Sequence, residues 1–75
     1  MKHWKQIEEF LRQAAAALPS EKTAQVLEYL DHNEFGLALE DMAAIAEAKG
    51  FMTAEFWRPM AKAGALMVNA SYEND

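Results

Sequence analysis

Cysteine is absent from this 75-residue chain, which removes disulfides and thiolate-bound zinc as ways of reinforcing a small core. Histidine is scarce. His3 lacks a second ligand at the i, i+4 spacing of a helical metal site, and His32-Asn33-Glu34 matches the His-x-Glu half of a zinc deaminase signature without the cysteines that the metal also needs. No metal or other cofactor is therefore expected. The three glycines form no phosphate-cradling loop. No apolar run approaches the roughly 20 residues of a membrane span, so no membrane partner is expected. Glu8 and Glu9 stand where a signal peptide would need its apolar stretch, and the default expectation is a cytoplasmic location.

The most informative absence is one of charge. Between Lys22 and Lys49 there is no lysine or arginine, while Glu28, Asp31, Glu34, Glu40, Asp41 and Glu47 all fall there, with Tyr29 and Phe35 among them. The formal net charge is -5, and the cations elsewhere are scattered. Phosphate neutralisation needs a basic surface, so nucleic acid is not the expected ligand. A one-signed surface with aromatics suits a basic protein partner, because charge steers the encounter and aromatic anchors hold the complex.

What is present is helical periodicity. Trp4, Ile7, Leu11, Ala14, Ala15 and Leu18 make one stripe, opposite Lys5, Glu8, Glu9 and Arg12, and Pro19 ends this first helix. Ser20 is placed to cap a second helix starting near residue 20, with Ala24, Leu27 and Leu30 inward and Val26 and Tyr29 at the flanks. Asp31-His32-Asn33 forms a corner. Asn33 is expected to cap a third helix, with Ala38, Met42, Ile45 and Ala46 inward, Leu37 and Leu39 on its shoulders and Gly50 as its stop. Gly36 weakens helix formation and is read as a position of close backbone contact. After a cap at Thr53, Phe56, Met60, Ala63 and Met67 continue the pattern, but Pro59 predicts either a kinked helix or a short turn over 54–58 followed by a helix over 59–70. Residues 71–75 read as a frayed tail. The expected fold is all-α, one domain over residues 1–75, a compact bundle of three to four short helices.

Catalytic machinery is not visible. Glu8-Glu9 and Glu40-Asp41 are adjacent carboxylates, but neighbours on a helix point about 100° apart and cannot flank a bond together. Ser20 and Ser71 have no base at a recognisable offset. The chain reads as a binding protein and not as an enzyme.

The segment Tyr29-Leu30-Asp31-His32-Asn33-Glu34-Phe35-Gly36-Leu37-Ala38-Leu39-Glu40 resembles the hydrophobic-x-x-His-Asn-Glu-aromatic-Gly-x-Ala-Leu-Glu segment of small helical MafI-like immunity proteins, which accompany bacterial polymorphic and contact-dependent-inhibition toxins. The helix after Gly50, with Phe56 and Met60, is similar to the last helix of that family. The resemblance implies a cytoplasmic protein that binds one cognate toxin domain, often a nuclease, and blocks it without chemistry. The residues expected to meet such a basic toxin are Glu28, Tyr29, Asp31, His32, Glu34, Phe35, Glu40 and Asp41. The alternative is a structural or regulatory subunit that forms a homodimer through Trp4, Trp57 or the Met-rich fourth helix.

Overall fold

In a computed structural model, which describes residues 2–73 (side chains over 3–68), the chain folds as α1 (Lys2–Ala16), α2 (Ala24–Asp31), α3 (Phe35–Lys49) and α4 (Ala54–Glu73), with a 3₁₀ turn over Ser20–Lys22. No strand occurs among the described residues. The radius of gyration, 11.7 Å, is close to the roughly 11 Å expected for a globular chain of this length. The all-α bundle anticipated from periodicity is the fold observed.

Helix α1 is the shared element. It packs along α4 over much of its length and carries the paired helices α2 and α3 as well. Its stripe is buried as expected: Ile7, Leu11 and Ala14 are inaccessible, and Ala15 and Leu18 nearly so. Val26, Leu30, Phe35, Ala38, Met42, Ala46, Phe56 and Ala63 complete the core. Five of these thirteen core residues are alanines, which lets the short helices approach closely and bury apolar area despite the small size of the domain.

Several local expectations are corrected. The second helix does not begin at Ser20; a 3₁₀ turn intervenes, and Thr23 is buried with its hydroxyl donating to the Ser20 carbonyl at 3.1 Å. Starting the helix at Ala24 rotates its inner face onto Val26 and Leu30, leaving Ala24 exposed and Leu27 41% exposed. Asn33 does not cap α3. It adopts a left-handed conformation (φ 59°) and closes α2, where the Glu34 amide donates to the Tyr29 carbonyl at 2.8 Å and its own amide to that of Leu30 at 3.1 Å. This is the Schellman arrangement with asparagine, which tolerates left-handed geometry, in the place usually taken by glycine. Gly50 ends α3 in the same conformation (φ 75°), with the Phe51 amide donating to the Ala46 carbonyl at 2.9 Å.

Helix α4 runs without a break through Pro59. The ring lies near the amino end, so only the first turn precedes it, and burial of Phe56 and Pro59 holds that turn against the core. The helix continues to Glu73, into the segment expected to be frayed; residues 74 and 75 of that segment lie outside the described residues. Gly36 is no close-contact position, since a Cβ placed there would meet nothing within 4 Å. Among the described residues, no helix is long and apolar enough to cross a membrane.

Candidate protein-binding surface on the second and third helices

The corner between α2 and α3 is a built feature. The two Schellman bonds fix the path of the chain, and His32, the residue that caps α2, turns its ring back so that Nδ1 donates to the Glu28 carbonyl at 2.9 Å. That bond pushes the imidazole above its ordinary value of 6.5, and the carboxylates of Glu34, Glu28 and Asp31 act in the same direction. Of the residues anticipated from sequence, the structure therefore gathers Glu28, Asp31, His32 and Glu34 around one corner, all of them exposed.

Asp31 is not a bare carboxylate. Arg12 of α1 donates from its terminal guanidinium nitrogen to Asp31 at 3.0 Å and from Nε to Glu8, one turn earlier on its own helix, at 2.9 Å. Asp31 foremost, then Glu8, hold the guanidinium charge further above its usual value. All three side chains keep a third or more of their surface exposed, so the bridges contribute little to stability, about 0–1 kcal/mol. Their larger effect is local neutralisation of the acidic corner.

Glu40 and Asp41 are not part of that cluster. Helix geometry puts Glu40 about 9 Å along the axis from Glu34, on the outer side of α3 and exposed, with Glu47 two turns further on the same face. Asp41 points about 100° away from Glu40 and is half-buried on the flank. The carboxylates thus form a corner group and an α3 group.

The aromatics are placed differently from expectation. Tyr29 is half-buried against the core. Phe35 is only 5% exposed, with its ring stacked on Trp4 at a centroid distance of 5.7 Å, so it supports the corner from beneath and is not a surface contact. The accessible aromatic here is Trp4, 39% exposed, which lines a shallow depression with Asn33 and Phe35. Nothing in the sequence links Trp4 to a corner some thirty residues away; packing of α1 against the start of α3 does so. Leu37, exposed at 47% on the outer side of α3, and Arg12 are the other residues of this surface that sequence reasoning did not assign to it.

The surface along α1 and α4 is mixed in character. A groove of about 450 Å³ between α1 and α4 is lined by Gln6, Glu9, Phe10, Lys62, Ala65 and Leu66, with the Lys62 ammonium 5.6 Å from the centre of the Phe10 ring. Arg58 lies 6.0 Å from the ring centre of Trp57, which is itself half-exposed. Among the described residues no group of three or more His, Asp or Glu side chains is arranged to hold a metal ion. No family model, curated protein or solved structure matches the chain.

Proposed function

We propose that this protein is an immunity protein that neutralises a basic bacterial toxin domain, a nuclease, by covering its active-site region with the acidic surface of α2, the corner and α3. The observation that carries this reading is the predominantly acidic exposed surface: Glu28, Glu34, Glu40 and Glu47 face solvent in a stretch that has no lysine or arginine between Lys22 and Lys49, with Arg12 of α1 bridging Asp31. A nuclease must offer a positively charged cleft to bind its substrate, and a negative protein surface competes for that cleft without any chemistry of its own. The resemblance of residues 29–40 to MafI-like immunity proteins supports the same reading, with action in the cytoplasm where an incoming toxin would meet its target.

Charge in such a complex governs the encounter rate and its salt dependence more than the final affinity. The test begins with the neighbouring upstream reading frame: if it encodes a large secreted protein ending in a compact basic domain, that domain is the toxin to be used. The wild-type chain should bind that domain and abolish its nuclease activity. Reversal of Glu34, Glu40 and Glu47 to lysine together should slow association by roughly tenfold or more at low salt and flatten its salt dependence. Unchanged association in that triple variant would remove the electrostatic mechanism.

A second reading, homodimerisation, is favoured by the exposure of Met52 (54%) and Trp57 (47%) at the start of α4. Met60 and Met67 pack towards the core and would not contribute. Light scattering that gave a salt-insensitive dimer, together with no neutralising activity, would select this reading.

A further inference from the structure

Helix α3 is apolar on more sides than the fold covers. Of its fifteen residues only Glu40, Asp41, Glu47 and Lys49 are charged, yet full burial is reached only at Phe35, Ala38, Met42 and Ala46. The helix rests on α2 and α1 by that inner side. A helix apolar around its circumference is one that is covered on more than one side, and here the outer side carries Gly36, Leu37, Ala44 and Ala48, all exposed, with Glu40 and Glu47 between them. Leu37, Glu40, Ala44 and Glu47 recur at intervals of three and four, the spacing by which one helix receives another.

Gly36 adds a separate indication. Its φ is not positive, and a Cβ there would touch nothing, so no backbone or packing demand within the chain accounts for a glycine in the first turn of α3. An outward glycine beside Leu37 leaves room for a backbone from outside.

We infer that the outer face of α3 is the docking surface for a cationic helix of the toxin domain, one whose small apolar stripe lies over Leu37, Ala44 and Ala48 while its lysines or arginines meet Glu40 and Glu47. This rests on the immunity reading and names the element that makes the contact. Charge selects the occupant: a second copy of this chain laid on the same face would set glutamates against glutamates, whereas a cationic helix gains both the apolar contact and the ion pairs.

The experiment is an NMR titration of the isotope-labelled chain with the catalytically inactive toxin domain, accompanied by two variants at exposed positions, Ala44→Arg on α3 and Val68→Arg on α4. Amide shifts should concentrate between Gly36 and Ala48. A44R should weaken binding by at least about thirtyfold, the loss associated with a hot-spot contact, and V68R should leave it within about twofold. Shifts confined to the Met52–Trp57 end, or an A44R variant that binds as wild type, would overturn the inference while leaving the immunity reading in place. Failure of the wild-type chain to bind the toxin domain at all would overturn both. The wild-type shift map needs no variant to fold.

Discussion

The pair α1–α4 and the pair α2–α3 are built from similar helices but are charged and covered differently. Lys2, Lys5, Arg12, Arg58 and Lys62 on α1 and α4 stand with Glu8, Glu9, Glu55 and Glu73, a near balance of charge. On α2, the corner and α3, six carboxylates stand with Lys49 alone. The first pair also makes the most extensive contact in the molecule. The difference separates two surfaces built on one shared core: α2 and α3 supply six of its thirteen buried residues yet turn a predominantly negative outer side to solvent, whereas α1 and α4 carry mixed charge.

The largest effect that bears on this contrast is truncation in the shared core. Phe56→Ala removes a side chain that is 1% exposed and should destabilise the fold by about 3–5 kcal/mol, enough to unfold much of a domain of this size. Leu37→Ala on the exposed outer side of α3 should change stability by no more than about 0.5 kcal/mol. Chemical denaturation of the two variants measures both; comparable losses would mean that the outer side of α3 is as structural as the core and would erase the contrast.

A smaller effect sharpens it at the corner. Asn33 holds a left-handed conformation, so Asn33→Ala should cost about 1 kcal/mol, whereas Asn33→Gly should be neutral or slightly stabilising. Thermal melts distinguish the two. Equal destabilisation by both substitutions would point to a side-chain role for Asn33 in place of the backbone one.

The smallest effect is a pH dependence. The His32 imidazole is raised by its bond to the Glu28 carbonyl and by the surrounding carboxylates, so its protonated form is favoured in the folded state. That contribution is fully present below about pH 6.5 and is lost as the pH rises through the higher folded value. Wild type should therefore gain stability relative to His32→Gln on the acid side, and the difference should shrink above neutrality. The same protonation adds a positive charge to the corner, so association with a cationic partner should be slower at pH 5.5 than at pH 8. A His32→Gln variant with an identical stability profile across this range would show that the corner does not sense its charge.

Much of the core was legible in the sequence, because burial on one side of a helix imposes a period that can be counted. The α1 stripe from Ile7 to Leu18 and the α3 residues Ala38, Met42 and Ala46 were readable for that reason, and Gly50 signalled its own left-handed stop. The candidate surface was legible in charge and less so in geometry. Glu28, Asp31, His32 and Glu34 fall together because three residues of corner cannot carry them apart. Phe35 read as a surface aromatic, but hydropathy does not say which side of a short helix faces inward when apolar residues occur on several. Helix α2 failed for the same reason: Leu27 and Val26 are both credible inner residues, and a 3₁₀ turn upstream, invisible in the pattern, chose Val26. Asn33 has two common roles at helix ends, and only the backbone angle separates them.

Chain chemistry alone determined that this protein is helical, that no disulfide within it reinforces it, and that its middle third is negative, because these follow from period and composition. Tertiary structure decided which of those negative groups stay open: it brought Arg12 to Asp31, slid Trp4 over Phe35, and left Leu37 and Glu40 uncovered on α3. Contacts between residues far apart in the chain depend on how helices are turned against one another, and that rotation is set by the packing of the whole core, which no local stretch contains.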